Sequence, residues 1–113
     1  MHYERGQSRK LDAAFAAMAD PTRRAILLRL RKGEATVGEL AQPFQISQPA
    51  ISRHLQVLER AGLITRGKDA QKRPRRLDAA GFSAVSDWIG SFEQFWEKSF
   101  DNLEQLLDER TPR

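Results

Sequence analysis

The segment SQPAISRHLQVLERAGLI, residues 47–64, sets apolar residues at helical spacing and interrupts them with serine, histidine, arginine and glutamine. On a wheel of about 100° per residue, Leu55 and Leu58 fall within about 40° of Ile51, a narrow stripe fit for burial. Ser52, Gln56, Pro49 and Arg53 fall between roughly 100° and 200° on the same wheel and face outward. Arginine forks onto guanine, glutamine onto adenine, and serine onto a base or a phosphate. This face therefore carries groups able to read base edges. They lie near the N-terminal half of the helix, the part of the second helix of a helix-turn-helix that enters the major groove.

Local signals bound this helix. Ser47 is placed to cap it, and as a helix N-terminus it can also offer backbone N–H groups to a phosphate. Ile46 before the cap can staple onto Ile51. Pro49 falls in the first turn, where proline is tolerated. The helix runs to about Arg60, and Gly62 is placed to close it. His54 sits at the edge of the apolar stripe, where two readings are open: a ring packed against the preceding helix with one nitrogen hydrogen-bonded, or a phosphate contact. Glu59 and Arg60 near the end read as solvated.

Upstream, Leu11, Phe15 and Met18 predict a short amphipathic helix over 9–19, after a flexible tail over 1–8. Asp20-Pro21 starts the next helix, with Ile26, Leu27 and Leu30 as its stripe and Gly33 as its end. Thr36-Val37-Gly38-Glu39 has the form of a capping box and opens a short helix carrying Leu40, Ala41 and Phe44, limited by Pro43. Gln45-Ile46 makes the turn. Downstream, residues 63–66 read as a strand, 67–72 as a loop, and 73–77 as a returning edge strand containing Pro74. Asp78 then caps a final helix, with Leu77 stapling to Phe82, over residues 79–108, followed by a tail over 109–113. The expected fold is mainly α with a small β-hairpin wing, in winged helix-turn-helix order.

Charge points the same way. Residues 47–78 hold eight Lys and Arg against three Asp and Glu, and residues 79–113 hold three against seven. A basic middle before an acidic tail suits a surface built for a polyanion, although charge counts alone also fit a solvated surface. Lys68, Lys72, Arg73, Arg75 and Arg76 lie within nine residues. Directly after a reading helix, such a loop can track the DNA backbone or enter a minor groove.

Other classes recede. The sequence has no cysteine and two histidines, His2 and His54, far apart. Disulfides, thiolate metal sites and thiol redox chemistry are excluded, and no metal or other cofactor is expected. No nucleophile–base pair and no glycine-rich phosphate loop argues for an enzyme. The opening MHYERGQSRK lacks the apolar core of a secretory signal, and no apolar run approaches a membrane span, so a cytoplasmic protein is expected.

The segments ADPTRRAILLRL, TVGELAQPFQISQPAISRHLQVLERAGLI and FWEKSFDNLEQLL closely resemble the ArsR-type winged-helix repressors of bacteria, over Leu11 to Leu107. The resemblance implies a homodimer on a pseudo-palindromic operator in double-stranded DNA, with Gln48, Pro49, Ser52, Arg53 and His54 at recognition-helix positions. The last segment resembles a metal-independent subgroup whose genes often neighbour a START-like (SRPBCC) ligand-binding protein. Arsenic sensors of the family carry a cysteine pair where this chain has VGELAQPF, and zinc-type sensors carry Asp and His ligands in a last helix that here has no histidine. The trigger of release from DNA stays open between a small molecule, a protein partner and the protein's own concentration.

A continuous last helix of about 28 residues, Ala80 to Leu107, would be about 42 Å long and project from a domain this size. Val85, Trp88, Ile89, Phe92, Phe95, Trp96, Phe100 and Leu103 are more apolar surface than one small domain covers, and left bare they would exceed what a soluble monomer tolerates. Pairing with the same helix and with Leu11 and Phe15 of the first helix of a second copy would cover them. The rival to a dimeric DNA-binding repressor is a winged-helix module that binds proteins and not DNA.

Overall fold

The computed structural model describes residues 5–68 and 71–110. The chain runs α1 (Arg5–Met18), α2 (Pro21–Leu30), α3 (Val37–Ala41), a 3-10 turn (Gln42–Phe44), α4 (Gln48–Arg60), β1 (Ile64–Arg66), β2 (Arg75–Leu77), a second 3-10 turn (Ala79–Phe82), α5 (Ser83–Gly90) and α6 (Glu93–Arg110). Helix α1 begins inside the stretch expected to be a tail, and α6 likewise continues to Arg110; residues 1–4 and 111–113 lie outside the described residues. Once a helix is nucleated by docking, adding a turn at its free end costs little.

Helix α1 docks on the core through small residues. Ala14 and Ala17 are the buried residues, Leu11 and Met18 pack at the margin, and Phe15 stays 39% exposed. Small side chains let the α1 backbone come close to the core and turn Phe15 aside. Its ring meets Trp88 edge-on at 5.7 Å.

The core forms where α2, α3 and α4 converge on the hairpin. Ile26, Leu40, Ile51, Leu55, Leu58, Leu63 and Ile64 are essentially removed from water. Each such side chain contributes about 1.5–3 kcal/mol relative to an exposed one. The hairpin is antiparallel with Ile64 opposite Leu77, Thr65 opposite Arg76 and Arg66 opposite Arg75. Its strands are shorter than the sequence suggests. Leu63 is used instead to close α4: its N–H reaches Leu58 O at 3.0 Å while Gly62 N–H reaches Glu59 O at 2.9 Å, with Gly62 at φ +78°. That pair of bonds is a Schellman closure, which needs a left-handed residue such as glycine.

The last part of the chain departs most from expectation. Instead of one long helix, α5 stops at Gly90 and α6 starts at Glu93. Gly90-Ser91 is the cause: glycine is a poor helix former, and the Ser91 hydroxyl donates to Trp88 O at 2.6 Å, bending the chain at a Gly/Ser pair. Phe92 N–H then bonds Ile89 O, and Phe92 O accepts the first bond of α6 from Trp96. Val85, expected at a subunit interface, is 8% exposed and belongs to the core. Every described α6 side chain is exposed. The molecule measures 62 × 40 × 22 Å with a radius of gyration of 18.8 Å, against about 13 Å for a compact domain of about 100 residues. Helix α6 therefore projects.

Gly81 joins the two halves. A Cβ built there would lie 1.5 Å from Gly62 O and 2.5 Å from Gly62 C, so the turn before α5 rests directly on the turn that ends α4. Gly81→Ala should lower stability by the upper end of the roughly 1–3 kcal/mol typical of overpacking, or more, because backbone and not a flexible side chain must move. Chemical denaturation checks this; an unchanged midpoint would show that the two turns are not in contact.

Candidate nucleic-acid interface

Helix α4 is held by its predecessors. Thr36 Oγ1 accepts from Glu39 N–H at 3.2 Å, and Glu39 Oε1 accepts from Thr36 N–H at 3.1 Å, completing the expected capping box. Those contacts hold the Glu39 carboxyl below the ordinary glutamate range, chiefly through the Thr36 N–H and then its hydroxyl. Gln45 makes the turn at φ +54°. Ser47 caps α4, its Oγ accepting from Ala50 N–H at 3.2 Å, with Pro49 in the first turn.

Burial of Ile51, Leu55 and Leu58 then fixes the rotation of α4. Gln48, Pro49, Arg53 and Gln56 are exposed, and Ser47 with them; Ser52 is half-buried beside this face. The backbone register thus brings the sequence-assigned reading residues to one solvent-facing side. His54 is different. It is half-buried, with Nδ1 3.3 Å from Arg23 Nη1 and 3.9 Å from Asp20 Oδ2. A guanidinium only donates, so Nδ1 accepts. Of the two readings of His54, the packed one describes this nitrogen, although the partner is the start of α2 and not the helix just before. Arg23 also donates to Ala17 O at 2.6 Å and Ala16 O at 3.3 Å, tying the end of α1 to α4. Asp20 caps α2 by accepting from Arg23 N–H at 3.0 Å. That bond first, then the Arg23 charge, holds its carboxyl below the ordinary aspartate range.

The hairpin supplies cations, with one exception. Lys68, Lys72, Arg73 and Arg76 are exposed, and Arg76 Nε lies 3.3 Å from Thr65 Oγ1. Residues 69 and 70 lie outside the described residues. Arg75, expected among the DNA contacts, is 6% exposed. Its Nε donates to Glu59 Oε1 at 2.8 Å and its Nη1 to Arg73 O. Its backbone pairs with Ala35 in both directions. Arg75 is therefore a structural residue. Glu59, expected to be solvated, is partly buried and also bonds Arg66 Nε through both oxygens at 3.1 Å. Sequence reading missed Glu59 and Arg23 because neither lies on an apolar or outward stripe; for Glu59 the available signal was the hairpin register, which sets two arginines opposite each other.

The other expected site, the aromatic set, divides. Trp88 and Phe92 pack edge-on at 5.0 Å, and Phe95 and Trp96 at 5.3 Å. Ile89, Phe92, Phe95, Trp96, Phe100 and Leu103 are between 41% and 63% exposed. Among the described residues no group of three or more His, Cys, Asp or Glu could hold a metal ion, and no helix is long and apolar enough to cross a membrane.

A capped short helix, a tight turn, a helix with an outward polar face and a basic hairpin define a winged helix-turn-helix protein. A family model described as a helix-turn-helix domain matches residues 18–66. The chain is 39% identical over 100 residues to the HTH-type transcriptional regulator Rv2034 of Mycobacterium tuberculosis, covering 88% of this chain and 91% of that protein. It is 43% identical over 82 residues to the transcriptional repressor SdpR of Bacillus subtilis, covering 73% and 91%. Among solved structures, an ArsR family transcriptional regulator aligns with TM-score 0.69 at 41% identity, over 78% of this chain and 97% of that one. HlyU from Vibrio cholerae aligns with TM-score 0.63 at 32% identity, over 79% and 97%. The chain belongs to the ArsR family of helix-turn-helix transcriptional regulators. It is a DNA-binding regulator of transcription and not an enzyme.

The two depressed carboxyls give a pH dependence of known sign. A group whose pKa is lower folded than unfolded stabilises the fold above the unfolded value, and that stability is lost as pH falls through the folded value. The Thr36–Glu39 box should thus stabilise α3 fully at neutral pH and weaken in acid, below the ordinary carboxylate range. Glu39→Gln, which keeps an acceptor but cannot titrate, should be less stable than the wild type at neutral pH, and the difference should vanish on acidification. Denaturation curves across that range check it; a constant difference would contradict the assigned cause.

Proposed function

We propose that this regulator acts as a homodimer that represses its own or a neighbouring operon by binding a pseudo-palindromic operator. One observation carries the reading: α4 hides Ile51, Leu55 and Leu58 completely while exposing Gln48, Pro49, Arg53 and Gln56 over its first three turns. These residues, with Ser47 and Ser52, read the major groove. Lys68, Lys72, Arg73 and Arg76 contact the backbone beside it. His54 keeps only its second ring nitrogen for a phosphate. The exposed side of the base-reading helix and the basic hairpin both argue against a module that binds only proteins.

The exposed rings support the dimer. Phe95, Trp96, Phe100 and Leu103 on α6 continue from Trp88 and Ile89 on α5 and Phe92 at the bend, with Phe15 of α1 alongside. A patch of that size in water signals a partner surface, and a two-fold pairing lets the same patch cover itself. The acidic residues Glu93, Glu97, Asp101, Glu104 and Asp108 keep this end away from DNA. The chain has no cysteine, and no histidine after His54, which favours regulation independent of metal, in the cytoplasm where the DNA lies. The release signal is then a small molecule, a protein partner or the protein's own concentration. SdpR is named a repressor, whereas HlyU is named an activator. A reporter behind the bound promoter should rise when the gene is deleted; a fall would assign activation.

Arg53→Ala should cost about 1–3 kcal/mol on the operator and relax discrimination between operator and unrelated DNA. Titration of labelled fragments measures both, and unchanged affinity would remove α4 from the contact surface. Phe100, 63% exposed with no ring partner among the described residues, tests the dimer without disturbing the monomer core. Phe100→Glu should sediment as a folded monomer and bind operator much more weakly; a stable dimer of that variant would place the interface elsewhere.

A further inference from the structure

The hairpin carries an electrostatic conflict at its base. Arg66, the last residue of β1, stands directly opposite Arg75, the first residue of β2. Like charges facing each other across an antiparallel pair push the strands apart. A carboxylate from a different element lies between them: Glu59, on the last turn of α4, accepts from Arg75 Nε at 2.8 Å and from Arg66 Nε at 3.1 Å. Both strands of the hairpin are thus pinned to the end of the helix that reads DNA. The pin is partly shielded from water, since the Arg75 and Glu59 side chains are 8% and 20% exposed, so solvent screens it less than an ordinary surface pair. Arg75 is further held by its paired backbone bonds to Ala35, at the loop that leads into α3.

We propose that Glu59 is a positioning residue for DNA binding. By holding Arg66 and Arg75 together, it sets the angle of the basic hairpin relative to α4, so that wing and reading helix meet the duplex as one rigid piece. This rests on the placement of α4 and the hairpin at the DNA. It has a consequence opposite to the obvious one. Glu59 is an anion on a DNA-binding surface, and removing it makes the protein more cationic. A role as a bystander charge therefore predicts tighter binding without it. A positioning role predicts weaker binding, because the hairpin cations no longer stand where the backbone passes.

Operator affinity is measured for the full chain at fixed salt with Glu59→Gln, which removes the charge, and Glu59→Asp, which keeps it but shortens the reach. The expected results are a loss of about tenfold for Glu59→Gln, the size of a coupling between neighbouring groups, and a several-fold loss for Glu59→Asp. In an Arg73→Ala/Arg76→Ala background, Glu59→Gln should change affinity by less than about twofold, since a wing without cations gains nothing from its angle. In an Arg53→Ala background the full loss should persist. Wild-type or tighter binding by both Glu59 variants overturns the proposal, as does an equal loss with and without the wing cations. Should Arg53→Ala and the wing variant both bind like the wild type, the DNA surface itself has been misplaced. Amide exchange in the free protein separates that case: Gly67 N–H, bonded to Pro74 O in the hairpin, should lose protection in Glu59→Gln while α4 does not. Unchanged Gly67 protection counts against the pin whatever DNA does.

Discussion

The rotation of α4 about its own axis is the constraint on which the function depends. Ile51, Leu55 and Leu58 sit on one side of that helix with no measurable exposure. Turning the helix by one residue's worth, about 100°, would expose all three and forfeit several kcal/mol. Because that cost is paid in the core, the outward set at Gln48, Pro49, Arg53 and Gln56 is aimed without any direct interaction of its own. The two ends of the helix are fixed separately. Ser47 and the turn at Gln45 set the entry, and the glycine closure at Gly62 sets the exit. The outward face of α4 is thus set by the fold of the free protein, and the proposed DNA contact would need little further ordering.

The second half of the molecule is organised by the opposite condition, apolar surface that one chain leaves uncovered. Gly81 seats the turn before α5 against Gly62, Val85 anchors α5 in the core, and the chain then bends at Gly90-Ser91. Beyond the bend no described residue buries the α6 rings. The Gly81–Gly62 contact joins this end to the exit of α4 through backbone and not through flexible side chains.

Much of this was legible in the residues. The caps at Asp20, Ser47 and Asp78, the Thr36–Glu39 box and the stops at Gly33 and Gly62 are short-range chemistry, and the order of elements follows from them. What escaped depends on long-range placement. Arg75 reads as one more cation in a basic run, and only the hairpin register together with Glu59, sixteen residues earlier, buries it. The apolar pattern of residues 80–107 runs on through the α5–α6 bend, because periodicity records which side is apolar and not whether the backbone stays straight. Helix α1 docks through Ala14 and Ala17, since close approach favours small residues that a search for large apolar ones passes over.

Selection of fragments from random DNA by the full-length protein, followed by sequencing, bears most directly on the idea of two α4 helices presented under two-fold symmetry. The retained fragments should share an inverted repeat whose half-site centres lie about 10–10.5 base pairs, or a multiple of that, apart. Retention of a single asymmetric motif, or of fragments with no common sequence, would contradict it.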